Sequence, residues 1–492
     1  MTVNDLPWSV KPLQYVLWNA ALHATGGAFY GNQCQNSESP IETYRTLHMR
    51  SQTAVSQTPI AQAIDEPHPG HGDATAGDIA VGVIIGRTSE FFDFFVYAIA
   101  SVLVFPYVDA LQGTLLSFAI FAVAFIARPL GTVLFLAIDR TYGRRIKLMI
   151  ALLLLGSSTV AVAFLPSYDE IGDFSALMLI VFRIGQGLAL GGEWDGLASL
   201  LALNAPENRR GWFAMLPQLG APLGLIVASG LFAFFLMTLP SAYFLDWGWR
   251  YPFFVAFAIN VVALFARLRL VEAPSFAKQF EARALQPSRV RDTLRLEGKN
   301  IVIGAFAPLA SFALFHTVTV FPLSWVYLYT NQTPARFLII EMVGAMVGVA
   351  AIVASGVLAD RVGRRTILTV TAAAIAAFSG FAPQLLNGGE IGQAIFMLLG
   401  FVLLGLSFGQ SSGAVASRFA ITHRYTGSAL TTDFAWLFGA GFAPFVALIL
   451  AARFGLMAAG AYLLSGAICT LVALALSQRL GTANEGRPGS ET

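Results

Sequence analysis

Apolar stretches of about 20 residues or more recur along the chain from residue 77 onward, separated by short polar segments. A helix of about 20 residues is long enough to cross the roughly 30 Å hydrocarbon core of a bilayer. The pattern therefore predicts an all-α integral membrane protein with twelve transmembrane helices. The predicted spans are 77–104, 114–138, 146–165, 175–204, 212–239, 251–270, 301–329, 334–358, 366–385, 391–419, 427–452 and 457–478.

The loops between these spans differ in positive charge. Five alternate loops, those after spans two, four, six, eight and ten, contain seventeen Lys and Arg residues, whereas the opposite five contain three. Lys and Arg are retained on the cytoplasmic side of a membrane. Both termini are therefore predicted to be cytoplasmic, in a plasma membrane that would be the inner membrane if the chain is bacterial.

The longest of the positively charged loops, residues 271–300, divides the spans into two groups of six. The halves are predicted at 77–270 and 301–478, with a cytoplasmic tail at 479–492. The sequences "IDRTYGRR" and "ADRVGRR" follow the second span of each half, which indicates an internal repeat. Two pseudo-symmetric six-helix halves with a site at their interface are typical of secondary transporters.

The first 76 residues have a different composition and are predicted to form a cytoplasmic leader. Residues 49–75 are polar and rich in Pro, Gly and His, a composition that favours disorder. Residues 1–48 lack the pattern of a signal peptide. One hypothesis is that translation starts at Met49.

Composition excludes several classes of function. Of the 492 residues, 56% are hydrophobic and 12% are charged, against about 25% charged in soluble proteins. A net charge of +2 gives no indication of a nucleic-acid partner, and the six histidines lack metal-ligand spacing. Cys34 and Cys469 are too far apart in sequence to indicate a disulfide framework. We expect no cofactor and no metal, and a monomer whose partners are the lipid bilayer, protons and a small organic solute.

Several motifs resemble a known family. The segment "GVLADRVGRR" resembles the signature loop of the major facilitator superfamily. Five further stretches resemble its metabolite:proton symporter branch, which includes transporters of shikimate, citrate, α-ketoglutarate and proline/betaine. The resemblance covers residues 77 to about 480 and implies the major facilitator fold. The five stretches, in order, are "EFFDFFVY", "ARPLG", "RIGQGLALGGE", "RRGWFAMLPQLGAPLG" and "WGWRYPFF".

Ionisable residues within the spans are the candidates for function. A charged side chain at a helix centre costs about 2.5 to 3.5 kcal/mol on the insertion scale, so such residues face the bundle interior. Arg87, Glu90 and Asp93 are spaced by three on one helix face, so the arginine can neutralise one acid while the other is protonated, paired elsewhere or used. The predicted pathway contains six acids and three arginines: Arg87, Glu90, Asp93, Tyr97, Arg128, Arg183, Gln186, Glu193, Asp195, His316, Glu341 and Asp433.

The two Asp-Arg loops form a second set of candidates. In the family that the sequence resembles, such loop charges clamp the two halves together at the cytoplasmic face. The alternative is that these loop charges only fix topology. The corresponding alternative for the intramembrane charges is that they form structural ion pairs between helices. The predicted gate residues are Asp139, Arg140, Gly143, Arg144, Arg145, Asp360, Arg361, Gly363, Arg364 and Arg365.

The leading hypothesis is a proton-coupled symporter of a small polar organic solute that works by alternating access. Arginines suit a carboxylate through bidentate pairing, and the acids suit a cationic or zwitterionic solute, so the charge of the solute stays open. An antiporter of the same fold and a non-transporting membrane sensor are the alternatives. An enzyme is not expected, because the sequence has no zinc motif, nucleophile elbow or phosphate loop.

Overall fold

The computed structural model describes residues 76–105, 110–193, 201, 205–271, 286–411 and 419–485, which are helices joined by short turns. The predicted disorder of the leader lies outside the described residues. Asp195 and residues 272–285 of the predicted linker lie outside them as well.

Twelve long helices account for most of the described residues, as the sequence predicts. Eleven of them are long and apolar enough to cross a membrane. The first, α1, is as long as the others but carries Arg87, Glu90 and Asp93 at its centre. The helices are α1 Ala76–Leu103, α2 Ala110–Tyr142, α3 Arg144–Ala163, α4 Asp173–Gly192, α5 Arg210–Thr238, α6 Tyr251–Val271, α7 in three segments (Val290–Phe306, Leu309–Thr319 and Phe321–Tyr329), α8 Pro334–Val362, α9 Arg364–Leu386, α10 Gly389–Phe408, α11 Arg424–Phe454 and α12 Met457–Glu485.

The seventh helix begins earlier than the hydrophobic pattern indicates. Its first segment starts at Val290, inside the stretch predicted as a linker, whereas the predicted span starts at residue 301. The sequence "RVRDTLRLEGKN" is polar but consists largely of good helix formers. Thr293 and Glu297 are buried, and Glu297 accepts a hydrogen bond from the backbone N–H of Ala420 at 3.2 Å. Hydropathy alone therefore sets this boundary too late.

Small residues allow close contact between helices within the first half, α1 to α6. A Cβ atom added to Gly187 of α4 would lie 2.3 Å from the carbonyl oxygen of Ala124 in α2. One added to Gly220 of α5 would lie 2.5 Å from the Cβ atom of Arg87 in α1. Backbones that approach this closely need glycine at the contact. These contacts fix the faces of α1, α2 and α4 that carry the buried polar residues.

Among the described residues, the two halves meet mainly along three helix pairs: α5 with α8, α2 with α11, and α1 with α7. In α11 the regular helix is interrupted by a π-helical segment, Trp436–Gly441, which begins three residues after Asp433. A Cβ on Gly441 would lie 2.8 Å from the side chain of Phe125 in α2. Segments of π-helix are rare and frequently occur at functional sites. This one brings Trp436 to the interface between the halves.

Large apolar side chains cover the outward faces of the helices. Leu130 is 64% exposed and Phe265 is 68% exposed, for example. In a soluble protein such residues would be a liability, whereas in a bilayer they contact lipid chains. The buried polar side chains are therefore confined to the interior of the bundle.

Candidate transport site

Glu90 of α1 is surrounded by three arginines from three helices. Its carboxylate lies 2.5 Å from Arg87 Nη1, 3.7 Å from Arg267 Nη2 and 4.0 Å from Arg128 Nη1. The ion pair between Arg87 and Glu90 that the sequence spacing predicts is present. Glu90 is 6% exposed, so these charges interact with little screening by water.

Arg267 of α6 was missed by the sequence analysis. Its Nη1 lies 2.8 Å from Glu193 Oε2 of α4, and its Nη2 donates to the carbonyl of Gly86 at 2.9 Å. Arg267 stands near the end of the sixth apolar stretch, where an arginine ordinarily extends toward the membrane surface. Here it is buried and points into the bundle.

Arg128 and Asp433 form an ion pair between the two halves. Arg128 Nε of α2 donates to Asp433 Oδ1 of α11 at 2.9 Å, and the Thr132 hydroxyl donates to Oδ2 at 2.5 Å. Both charged side chains are buried. Separation of α2 from α11 would break this pair.

These residues form one connected set, here called the charge network. It holds three arginines and three carboxylates, so its formal charges balance. The predicted six acids and three arginines span the whole pathway, whereas this set adds Arg267, which the sequence analysis did not count, and leaves out Asp93 and Glu341, which lie elsewhere. The charge network comprises Arg87, Glu90, Arg128, Glu193, Arg267 and Asp433.

Arg183 of α4 has neutral hydrogen-bond acceptors among the described residues. Its Nη1 donates to Gln186 Oε1 at 2.8 Å and its Nη2 to the carbonyl of Phe121 at 3.0 Å. The guanidinium lies 3.9 Å from the centre of the Tyr97 ring, a cation–π contact. Its Nε is buried without a hydrogen-bond partner. Arg183 is therefore a buried cation that can accept an anion.

Asp93 lies one turn after Glu90 on α1 but in different surroundings. The carboxyl is close to the Thr159 hydroxyl and the Asn260 amide, and within electrostatic reach of Arg183. Its Oδ1 is buried without a hydrogen-bond partner. Ser89 donates to Asn260 at 2.8 Å and holds that amide beside the acid. We call Asp93, Tyr97, Thr159, Arg183, Gln186 and Asn260 the Arg183 cluster.

Aromatic rings from both halves fill the centre of the interface. His316 of α7 is fully buried, with its ring stacked on Phe94 at 4.9 Å and its Nε2 without a hydrogen-bond partner. Phe91 of α1 contacts rings of the second half, Phe315 at 5.7 Å and Trp436 at 5.8 Å. We call this set the aromatic cluster: Phe91, Phe94, Phe95, Phe121, Phe125, Phe312, Phe315, His316, Phe408 and Trp436.

An apolar pocket borders the aromatic cluster between the halves. It is lined from the first half by Phe95 and Ala221, and from the second half by Phe315, Thr319 and Phe408. The lining side chains are almost entirely apolar. The pocket thus extends the aromatic cluster toward α5 and α8.

Glu341 of α8 stands apart from both polar sets. It is 1% exposed, and its Oε2 accepts a hydrogen bond from the Ser229 hydroxyl of α5 at 3.0 Å. Its Oε1 has no hydrogen-bond partner. Because α5 and α8 belong to different halves, this bond joins the halves.

The end of the bundle that carries the two Asp-Arg loops, here called the inner end, is closed by contacts between the halves. Asp139 Oδ2 lies 3.1 Å from Lys147 Nζ, which donates to the hydroxyl of Tyr425 in α11 at 2.9 Å. Asp360 of α8 accepts hydrogen bonds from the backbone N–H groups of Gly211, at 2.6 Å, and Trp212, at 3.1 Å. Each half therefore supplies one aspartate at this end.

The two loops share a backbone geometry. Gly143 ends α2 with φ 83° and Gly363 ends α8 with φ 84°. Glycine is favoured in this left-handed region because it lacks a Cβ atom. The repeat therefore extends from the sequence to the local conformation.

Comparison with known proteins identifies the fold and the family. The family model for "Sugar (and other) transporter" matches residues 79–301. The inner membrane metabolite transport protein YhjE of Escherichia coli (strain K12) is 37% identical, over 81% of this chain and 93% of the relative. This chain belongs to the major facilitator superfamily. The shikimate transporter of the same organism is 30% identical, over 76% of this chain and 88% of that protein. Its proline/betaine transporter is 27% identical, over 68% of this chain and 69% of that protein.

Solved structures agree with this assignment. The D-xylose-proton symporter superposes with a TM-score of 0.61 at 19% identity, over 81% of this chain and 96% of that chain. The fold is therefore the major facilitator fold of twelve helices in two pseudo-symmetric halves. These relatives and structures are transporters. The chain is a multi-pass membrane transporter of metabolites rather than an enzyme.

Within this major facilitator fold, the predicted pathway residues fall into separate groups. The charge network contains Arg87, Glu90, Arg128, Glu193 and Asp433. The Arg183 cluster contains Asp93, Tyr97, Arg183 and Gln186, His316 lies in the aromatic cluster, and Glu341 lies at the seam of α5 and α8. The sequence analysis missed Arg267, Thr159, Asn260 and the members of the aromatic cluster other than His316, because the sequence does not show which way these positions face.

The arginines among the predicted gate residues differ from one another in their contacts. Arg140 donates to the carbonyl of Ser288 at 3.0 Å, and Arg365 donates to the carbonyl of Leu474 at 2.8 Å. Arg364 donates to Gln410 at 3.4 Å. Arg144 packs over the ring of Tyr425 at 4.6 Å, while Arg145 and Arg361 are exposed.

Proposed function

We propose that this protein is a proton-coupled symporter of a small organic carboxylate that works by alternating access. The observation that carries the proposal is the Arg183 cluster. A buried arginine with neutral acceptors stands within electrostatic reach of Asp93, a buried carboxyl with an open oxygen. The cluster has one cation and room for one compensating anion.

The positive charge of Arg183 can be compensated by an anion in two different states of the site. In one, Asp93 is ionised and compensates Arg183. In the other, the carboxylate of a solute compensates Arg183, and Asp93 is protonated because a second buried anion would be left uncompensated. Binding of the solute therefore favours uptake of a proton, and the two cross the membrane together.

The charge network has a different part in the proposed cycle. Its charges are balanced, and the bond between Arg128 and Asp433 joins the halves. At the inner end, Asp139 with Tyr425 and Asp360 with Gly211 also hold the halves together. Opening toward that end requires all of these contacts to break, so they are the proposed gate.

The names of similar proteins support proton-coupled transport of a small organic solute. Proteins named as transporters of shikimate and of proline/betaine are similar to it in sequence, and a structure named as a proton symporter has the same fold. We place the protein in a bacterial inner membrane with both termini in the cytoplasm, as a monomer. A proton that enters together with one carboxylate anion carries no net charge across the membrane, so the proposed uptake is driven by the pH gradient rather than by the membrane potential.

Uptake into proteoliposomes tests the proposal. A panel of radiolabelled organic acids and betaines is offered with an inward proton gradient, an outward gradient or none. Symport predicts accumulation of at least one solute with the inward gradient. Accumulation driven by the outward gradient would instead indicate antiport, and uptake that ignores every gradient would contradict proton coupling.

Asp93→Asn tests the assigned proton site in the same vesicles. The amide keeps the volume of the acid and cannot titrate. Gradient-driven accumulation should be lost, whereas counterflow exchange should survive because it requires no net proton movement. Asp173→Asn, at an exposed acid at the start of α4, is the matched control and should keep both activities.

A further inference from the structure

We infer that the solute is a planar aromatic monocarboxylate, with its carboxylate at Arg183 and its ring within the aromatic cluster between the halves. The inference rests on the proposed function, since it concerns the solute of the same site. Three features of the described residues carry it: the buried donors, the aromatic surfaces around them, and the lack of further uncompensated charge.

The donors form the carboxylate end of the site. Arg183 is 2% exposed and its Nε has no hydrogen-bond partner. His316 is fully buried, its Nε2 also lacks a partner, and the charge of Arg183 acts on its ring. Buried polar atoms are ordinarily satisfied, so we assign both of these atoms to the carboxylate of a ligand. A carboxylate has two oxygens that can accept from both groups.

Aromatic faces form the other end of the site. Phe94 stacks on His316, and Phe95 lies 6.0 Å from Phe315 with an angle of 11° between the ring planes. Phe95 and Phe315 also line the adjoining apolar pocket. Aromatic rings gain stacking and edge-to-face contacts from a further ring that a saturated ring lacks. A flat ring that enters between these side chains as the halves separate therefore gains more than a puckered one.

The surroundings disfavour other small solutes. Several hydroxyl groups around the ring would find too few partners on the lining of the pocket, where Thr319 has the one polar side chain, and their burial would cost free energy. A second carboxylate would need a second free cation, but Arg128 and Arg267 are already paired with Asp433 and Glu193. A quaternary ammonium group fits aromatic rings, but it would be repelled by the buried charge of Arg183.

Binding to the purified full-length protein in detergent, without a gradient, tests the inference. The readout is quenching of tryptophan fluorescence, to which Trp436 in the aromatic cluster contributes, together with thermal stabilisation. The probes are benzoate, cyclohexanecarboxylate, terephthalate, shikimate and glycine betaine. Benzoate should bind tightest, with an affinity about fivefold to tenfold above that of cyclohexanecarboxylate. Tighter binding of shikimate, terephthalate or glycine betaine than of benzoate would overturn the inference.

Two variants assign the two ends of the solute. Arg183→Lys keeps a cation without the planar fork and should weaken binding of benzoate and cyclohexanecarboxylate alike. Phe95→Leu keeps an apolar side chain without a ring at the position that faces Phe315 and lines the pocket, and it should bring the affinity ratio of these two acids toward one. Arg336→Lys, at an exposed arginine paired with Glu390, is the matched control and should change neither value. An unchanged ratio in Phe95→Leu would contradict ring stacking even if Arg183→Lys fails to fold.

The two proposals fail in different ways. If benzoate binds as described but its uptake into vesicles ignores the proton gradient, the solute class stands and symport fails. If benzoate does not bind while another acid is accumulated with protons, symport stands and the solute class is wrong.

Discussion

Glu90 and Asp93 are one helical turn apart on α1, yet their surroundings differ in kind. Glu90 is enclosed by Arg87, Arg128 and Arg267, each within 4.0 Å. Asp93 faces a hydroxyl and an amide, with one oxygen unsatisfied. A fully paired carboxylate resists a change of charge, whereas a carboxyl with neutral neighbours can gain or lose a proton when a nearby charge changes. We therefore assign a structural role to Glu90 and proton coupling to Asp93.

Removal of an arginine from the charge network should have the largest effect on stability. Arg267→Ala leaves Glu193 without its partner and takes one cation from Glu90, in a buried setting where a broken pair costs about 3 to 5 kcal/mol. We expect a large fall in melting temperature or a loss of folded protein by size-exclusion chromatography. Arg183→Ala should cost less, because its acceptors are neutral. Equal losses in the two variants would remove the distinction between the two regions.

The amide variants of the two acids should separate the regions by function. Glu90→Gln leaves three arginines around a neutral group, so both counterflow exchange and gradient-driven uptake should fall strongly. Asp93→Asn should abolish only the gradient-driven uptake. The two assays are run on the same vesicle preparations. If Glu90→Gln uncouples transport and Asp93→Asn does not, the roles assigned here to the two acids are reversed.

The inner gate should give a smaller effect. Tyr425→Phe removes the hydroxyl that accepts from Lys147 and so weakens the closed inner end by about 1 kcal/mol. Labelling of a cysteine introduced near the inner end should become several-fold faster as the population shifts. Tyr243→Phe, which loses an exposed hydrogen bond to Tyr251 at 2.9 Å, is the matched control. Unchanged labelling in Tyr425→Phe would mean that this contact does not close the gate.

The smallest effect is expected at the seam of α5 and α8. Glu341→Gln keeps the hydrogen bond with Ser229 and removes only the capacity to ionise. With no cation acting on it among the described residues, Glu341 gains little from ionisation, so thermal stability should change by less than about 1 kcal/mol. A large fall in stability would show that Glu341 is ionised in a pair that this account does not include.

The sequence predicts the helices and the contacts within one helix, but not the contacts that depend on how the helices pack. The twelve helices follow from apolar length, and the contact of Arg87 with Glu90 follows from spacing of three along one helix. Arg128 and Asp433 are 305 positions apart, so their pairing depends on how the halves pack. Arg267 was missed because its place near a helix end suits an arginine that reaches the membrane surface. Its burial is set by the rotation of α6, which hydropathy does not encode.

The aromatic cluster was missed for a related reason. The chain contains 40 phenylalanines, and sequence alone treated them as packing or lipid-facing residues. Only the packing of α1, α2, α7, α10 and α11 selects the few rings that meet at the interface. The π-helical segment at Trp436–Gly441, which brings one of these rings into place, has no marked signature in the sequence.

Proton uptake on solute binding tests the central claim most directly. Purified protein in weakly buffered detergent, with a pH indicator, is mixed with a carboxylate whose binding depends on Arg183. Wild-type protein and Glu90→Gln, if it folds, should take up protons as the solute binds, at pH values where Asp93 is ionised in the free protein. Asp93→Asn should bind the solute with no proton uptake. Equal proton uptake by wild type and Asp93→Asn would contradict the account, because the coupled proton would then reside on another group.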